Sequence, residues 1–307
     1  MKPWVKSVPG ATMEMVYDIA GTTRQGHKQF GDRRAGRRDR TGLYLSMMVV
    51  SRELHPEIGL AKIYYLHNPE GIGRTAFEQL GTAEGFALPP FKHNTTWQGG
   101  KGFTFPNLLT GLLINDINKV WVTDITYYQL GKTYYYICMI MDLYSRRILA
   151  CRVDKTLHAK FSCKLLREAI RNRNLPNNHQ LIHHSDKGSQ YTSNSYVGIL
   201  NSNNIKISMC NSVFENTNME RLNGIIKNGY LRHWKPKTFT QLRRQLKTAV
   251  NRYNQCPHGS LKMSTPENYE QQLLTIPLEQ RRLQEIFTIE RAIITKNPNQ
   301  LELFDYL

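Results

Sequence analysis

Residues 119–153 read as three strands in succession, and the first of them carries a carboxylate among apolar neighbours. "KVWVTDITYYQL" (119–130) alternates and is rich in β-branched and aromatic residues, the pattern of a half-buried strand. Gly131 and Lys132 form a turn. "TYYYICMIMDLYSRRILACRV" (133–153) then supplies two more strands, with a turn near Tyr144 to Arg147. An amphipathic helix follows over 157–174, with Phe161, Leu165, Leu166, Ala169 and Ile170 on one face. "HQLIHHSD" (179–186) is a fourth strand, 192–204 a helix capped by Thr192 or Ser193, "IKISM" (205–209) a fifth strand, and a long helix then runs past Glu220 to about Tyr230. Three sequential strands followed by helical crossovers predict a mixed α/β fold, a five-stranded sheet flanked by helices.

Three acids stand out on that map. Asp124 sits inside the first strand, between Val122 and Ile125. Asp186 ends the fourth strand, and Glu220 lies on the helix after the fifth. A charge in an apolar strand costs roughly several kcal/mol unless it is paired or holds a metal. The structural alternative is that Thr123, Asp124 and Thr126 are simply the wet face of the strand. Magnesium takes a few carboxylate oxygens and leaves other positions to water and phosphate. Two such ions can clamp the attacking and leaving oxygens of a phosphodiester. Gly188, just after Asp186, lets backbone approach a phosphate closely.

The partner class follows from charge. Lys and Arg number 41 against 24 Asp and Glu, a formal net charge of +17. That excess favours a polyanion, because each phosphate neutralised releases counterions. Five cysteines with no CxxC pair argue against a disulfide framework and against a Cys-rich zinc site. With no long apolar run, the expectation is a cytoplasmic chain, nucleoid-associated when bound to DNA, with no membrane partner. Residues 1–92 read as a helical, basic region. "MEMVYDIAGTTRQGHKQ" (13–29) suits a helix, a turn and a short second helix with Arg24 exposed, a helix-turn-helix fragment or an ordinary helical hairpin. "GDRRAGRRDR" (31–40), a basic run with Gly breaks, offers Arg33, Arg34, Arg37 and Arg38 to phosphates or is a solvated loop. Residues 51–89 give two more amphipathic helices around "NPEGIG", and 93–118 read as a linker or strap with Leu109 to Leu113 docking.

"VWVTDITYYQLGKTYYYICMIMDLYSRRILA", "HHSDKGSQYTS" and "MERLNGIIKNGYL" together resemble the catalytic core of a DDE transposase of the two-frame bacterial insertion-sequence family, in the OrfB-type catalytic subunit. Retroviral integrases share that RNase H-like core. "VNRYNQCPHGSLKMSTPENY" (250–269) resembles the family's closing Tyr-Asn, Pro-His, Leu, Thr-Pro motif. The resemblance spans about residues 50–270. It implies a helix-turn-helix DNA-binding region over 1–92, a linker at 93–118, an RNase H-like integrase core at 119–235 and a C-terminal helical extension at 236–307. It also implies that Asp124, Asp186 and Glu220 are catalytic and hold two Mg²⁺ or Mn²⁺ ions. Lys227 matches the family's Lys seven residues after the Glu, two helical turns on, and Asn216 also matches; both share a face with Glu220 and, with Lys187, would meet DNA. The implied partners are double-stranded DNA (element ends and target), further copies of the chain, and an upstream-frame (OrfA-type) fusion partner.

The sequence departs from the pattern at Arg221, Asn223 and Cys256, and 33 residues separate Asp186 from Glu220, slightly fewer than usual. Glu215 is the rival third acid but matches the Asp that is not a metal ligand. Asp142 reads as turn structure. His183 and His184 read as buried neutral histidines, or His184 as a substrate contact; no further zinc ligands stand at suitable spacing. Tyr134, Tyr135 and Tyr136 read as core and sheet face rather than a base-stacking platform. Three activities remain open: strand cleavage followed by strand transfer, cleavage without joining, and DNA binding without catalysis.

Overall fold

The computed structural model describes residues 12–19, 21, 23–88, 104–210 and 213–286. In order, its elements are α1 (Met13–Ile19), α2 (Arg24–Leu54), α3 (Leu60–His67), α4 (Arg74–Ala83), β1 (Leu112–Ile114), β2 (Val120–Leu130), β3 (Thr133–Asp142), β4 (Ile148–Asp154), α5 (Ala159–Arg173), β5 (Ile182–Ser185), α6 (Ser189–Thr192), α7 (Asn194–Ser202), β6 (Lys206–Met209), α8 (Thr217–Ile226), α9 (Arg232–Trp234), α10 (Phe239–Asn254), α11 (Pro266–Leu273) and β7 (Gln284–Ile286).

Five strands form one sheet in the order β4-β3-β2-β5-β6. The first three pair antiparallel as a meander, and β5 and β6 add in parallel after helical crossovers. This is the mixed sheet expected of an RNase H-like core. Alternation along β2 sorts its side chains to two faces. Val120 and Val122 join Met139, Met141, Leu222, Ile226, Leu242 and Leu246 in one buried cluster under α8 and α10. Trp121 joins Cys138, Ile140, Leu165, Leu166 and Leu200 in the other, under α5 and α7. Each such fully buried side chain contributes roughly 1.5–3 kcal/mol.

The reversal after β3 is held by Asp142. Its fully buried carboxylate accepts from the backbone N–H of Asn118 (2.6 Å), Tyr144 (3.0 Å) and Ser145 (2.9 Å), the turn role expected for it. The closing motif grips the neighbouring sheet edge. Asn254 donates to the Ile148 carbonyl (3.0 Å) and accepts from the Ile148 N–H (2.9 Å), satisfying the outer edge of β4, which no described strand pairs. Thr265 caps α11, with Pro266 in its first turn.

Three features depart from the sequence reading. The helix starting at Arg24 is not short: it runs unbroken to Leu54 through Gly31, Gly36 and Gly42, so 31–40 is helix rather than loop. A mid-helix glycine costs only about 1 kcal/mol, and Arg, Leu and Met sustain the helix while Tyr44, Met48 and Ser51 bury its later turns. The side chains of Arg33, Arg34, Arg37 and Arg38 lie outside the described residues. A small antiparallel ladder also joins Leu112–Ile114 to Gln284–Ile286, so strand as well as helix follows residue 236. Finally, the helix carrying Glu220 continues through a π-turn at Lys227–Leu231 into α9.

Of the Leu109 to Leu113 stretch expected to dock, Leu109 does so, whereas Leu113 is exposed. Leu109 is fully buried, Leu108 N–H donates to Ser208 Oγ (2.9 Å), and Met209 N–H donates to the Pro106 carbonyl (3.3 Å). The N-terminal helices form their own cluster around Tyr44, Met48, Ile63 and Phe77, and Cys256 of the closing motif is buried in it. Further contacts link it to the core: His55 Nδ1 meets Tyr230 Oη at 2.8 Å, and Arg252 donates to the Leu54 carbonyl at 2.7 Å.

Candidate active site

β2 pairs with β5 only through Val120–Val122, because β5 ends at Ser185. From Asp124 onward that edge of β2 has no strand partner among the described residues, and α8 packs on β2 there. Asp124 follows Val122 onto the α8 face. Asn223 of α8 donates to Asp124 Oδ2 at 2.7 Å. Burial, then the neighbouring Asp186 and, to a lesser degree, Glu220, push the Asp124 carboxyl up to about 7, with Asn223 partly opposing them. Asp186 stands just past β5; its Oδ1 accepts from the Gly188 N–H at 3.0 Å, and burial raises its carboxyl. A Cβ at Gly188 would sit 3.0 Å from that same oxygen and 2.9 Å from Gln190 Oε1, so a side chain here would displace both. Glu220 is exposed on the first turn of α8.

Asp186 and, less strongly, Glu220 thus act on the Asp124 carboxyl. Among the described residues, no three His, Cys, Asp or Glu side chains meet as a ready-made metal cage. Carboxylate oxygens are the donor type a hard divalent cation takes while keeping water or phosphate in its shell.

Lys227 lies two turns past Glu220, as its spacing implies. Its Nζ donates to Thr126 Oγ1 (3.1 Å) and sits 4.9 Å from the centroid of the Tyr127 ring. Burial lowers its pKa, and Asp124 partly restores it. Asn216 is buried, and its amide donates to the Thr123 carbonyl (3.3 Å), tying the start of α8 to β2 beside Asp124. Lys187 is exposed next to Asp186, and Arg24 opens α2 in the separate helical cluster. Glu215 faces elsewhere: its Oε2 accepts from Asn107 Nδ2 at 2.8 Å, anchoring the 104–114 segment. Both histidines before Asp186 are core groups. His183 meets Tyr196 Oη (3.0 Å), and His184 meets Ser208 Oγ (2.8 Å) and Cys210 Sγ (3.1 Å). Burial brings His183 to about 3 and His184 to about 4, so both stay neutral.

Asn223 is the site residue that motif matching misses, because it stands where the resembled pattern has an aromatic. The available signal was a lone amide between Leu222 and Ile225 on a buried helix face. Its Oδ1 is buried with no hydrogen-bond partner among the described residues, as is that of Asn216.

Residues 115–212 match one integrase core domain family, and residues 204–266 match a second of the same description. Together the two matches cover residues 115–266, the sheet with α5 to α10. Similar proteins include the uncharacterized 31 kDa protein of insertion element IS600 from Shigella sonnei, 33% identical over 42% of this chain and 48% of that protein. The putative transposase of insertion sequence element IS986/IS6110 from Mycobacterium tuberculosis is 32% identical over 39% of this chain and 45% of its own. Transposase InsF for insertion sequence IS3A of Escherichia coli is 33% identical over 30% of this chain and 31% of its own. The chain thus covers just under half the length of the first two relatives. Among solved structures, the integrase core is similar to the HTLV-2 integrase catalytic core domain in complex with magnesium (TM-score 0.42, 21% identity, 53% of this chain and 99% of that one). The simian T-cell lymphotropic virus intasome gives a TM-score of 0.48 at 17% identity, over 73% of this chain and 72% of that one.

The electrostatics of the integrase core make a prediction that needs no DNA. The Asp124 carboxyl has an ordinary value of 3.8 and titrates at about 7 when folded. The folded state therefore holds the extra proton across that window, and stability falls as pH rises through it. The penalty above the window is on the order of a few kcal/mol. Asp124→Asn removes it. In EDTA the variant should melt several degrees above the native protein at pH 8 and level with it at pH 4. Equal melting at both pH values would show that Asp124 carries no such burden.

Proposed function

We propose that this chain is the catalytic subunit of an insertion-sequence transposase, cleaving DNA at element ends and joining the freed ends to target DNA. The observation that carries the reading is Asp124. It is a carboxylate on an otherwise apolar strand, strained by burial and by two further carboxylates, inside an integrase core. Such a cluster is stable as an anion only when a cation offsets it.

Asp124 and Asp186 are the carboxylates that would hold Mg²⁺ or Mn²⁺, with Glu220 completing the set from α8. The bound ions supply Lewis-acid polarisation of the scissile phosphate and a more acidic attacking hydroxyl. The chain's own groups do the rest. Asn223 fixes the Asp124 carboxylate through Oδ2. The Gly188 N–H fixes Asp186 in the same way. Lys227 places a positive charge beside Asp124, where a phosphate of the bound strand lies. Water attacks phosphorus and the 3′-oxygen leaves as a hydroxyl. That hydroxyl then attacks a target phosphate, forming one P–O bond as the target's own P–O bond breaks. No covalent enzyme intermediate is required.

The N-terminal helices, with Arg24 and the basic stretch Arg33 to Arg38, are proposed as a phosphate-binding unit. The net charge of +17 supports this role. Phosphate contacts position DNA but carry little sequence information. Selection of element ends is accordingly assigned to an upstream-frame segment and to assembly of several copies on DNA. Incubation with end-sequence duplex, target DNA and Mg²⁺ separates the alternatives. A joined product is expected; nicked DNA alone would indicate a nuclease, and binding without cleavage a catalytically inactive relative.

A further inference from the structure

Beyond Asp124, β2 and β3 continue as a hairpin that outruns the helices covering the rest of the sheet. Antiparallel register sets Tyr127 opposite Tyr136 and Gln129 opposite Tyr134, so all four share the face turned away from α8. Deeper on that face, Cys138 is fully buried against the helices. At the hairpin end the cover stops. Tyr127 is 46% exposed and Tyr134 49%, their rings 5.6 Å apart at 77°. Tyr135, on the opposite face, is buried and stacked on Phe239.

The exposed pair lies on the hairpin that carries Asp124. Tyr127 is three residues past Asp124, about 10 Å along the strand. Lys227, which approaches from the α8 face, reaches the Tyr127 ring while bonding Thr126. β3 and β4 continue the sheet on one side, so the two groups meet round the open edge of β2. The cluster is a positive charge and two aromatic faces, and that charge also feels the Asp124 carboxylate. Its exposed neighbours are Gln129, Lys132 and Thr133 rather than aliphatic side chains. A protein partner would want apolar surface there. An unpaired nucleotide wants a ring to stack on and an ammonium for its phosphate.

We propose that Tyr127 and Tyr134 form a stacking platform for unpaired bases of the DNA strand whose phosphate lies at Asp124. This rests on the DNA-processing role proposed above and extends it: the site takes a strand end opened from its duplex, and the hairpin holds the bases that opening releases.

The test is binding in EDTA, where no chemistry occurs, to a blunt duplex and to the same duplex with a short unpaired 3′ tail carrying 2-aminopurine. The native chain should prefer the tailed duplex and quench its fluorescence. Tyr127→Leu and Tyr134→Leu should each weaken tailed binding about five-fold or more, leave blunt binding unchanged and abolish quenching. Tyr127→Phe and Tyr134→Phe, which keep the rings, should behave as native. Melting temperatures within a degree or so of native separate loss of stacking from loss of fold, and if the Leu variants unfold, quenching by the native and Phe proteins decides. Tailed and blunt duplexes bound equally by every protein, or a tail that is not quenched, overturns the platform alone. A chain that binds neither duplex overturns the DNA-processing reading and the platform with it.

Discussion

Glu220→Gln is expected to abolish cleavage and joining, whereas Glu215→Gln keeps most of both. Glu220 lies on the turn of α8 that faces Asp124 and contributes to the repulsion raising its carboxyl. Neutralising it removes one of the three donors proposed for the cation. A loss of on the order of 4 kcal/mol of transition-state stabilisation is about a thousandfold in rate. Glu215 is engaged with Asn107 at 2.8 Å, and a glutamine there still offers an oxygen to that amide. Single-turnover cleavage of end duplex by the two variants checks the pair. A dead Glu215→Gln beside an active Glu220→Gln would reassign the third acid to the 3₁₀ turn before α8.

The largest loss of stability is expected from Glu270→Ala. Glu270 is 5% exposed on α11. It accepts from Ser145 Oγ (2.7 Å) and Arg147 Nη1 (2.6 Å) and forms a bidentate pair with Arg173 at the end of α5. One carboxylate thus joins the closing motif, the turn built on Asp142, and a crossover helix. Removing it strands a largely buried guanidinium, a defect that costs about 3–5 kcal/mol. At roughly 2–4 °C per kcal/mol, the melting temperature should fall by about 6–20 °C. Burial pushes the Glu270 carboxyl up, but Arg173, Ser145 and Arg147 more than offset this and hold it below its ordinary value of 4.5. Its contribution is therefore fully present above that value and lost as pH falls through the folded one. The gap between variant and native protein should narrow in acid. A gap that stays constant from pH 7 down to pH 3 would mean that the carboxylate's charge is not what stabilises this junction.

Where side-chain chemistry repeats along an element, the sequence was readable. The alternation from Val120 to Leu130 gave β2, the Gly131-Lys132 turn gave the hairpin, and the apolar face of Phe161, Leu165 and Leu166 gave α5. Asp124 and Asp186 were legible as acids that an apolar strand does not carry without a reason, and the helical spacing of Glu220 and Lys227 put them on one face. What stayed hidden depends on contacts between distant segments. The ladder between Leu112–Ile114 and Gln284–Ile286 joins pieces too short to signal a strand alone. The length of α2 was masked by its glycines, which lower helix propensity without ending a helix that packs. Asn223 and Asn216 acquire their roles only when α8 lies across β2. Tyr134 and Tyr135 look alike in sequence and differ in burial only because Phe239 covers one face of the hairpin and nothing described covers the other.

The most direct measurement is strand cleavage and joining of an element-end duplex by native protein and by Asp186→Asn, each with Mg²⁺ and with EDTA, alongside DNA binding under the same conditions. Native protein with Mg²⁺ should give cut and joined products. EDTA or Asp186→Asn should give none, while DNA is still bound. Undiminished activity in EDTA, or in Asp186→Asn, would contradict a mechanism built on these carboxylates and the cation they hold.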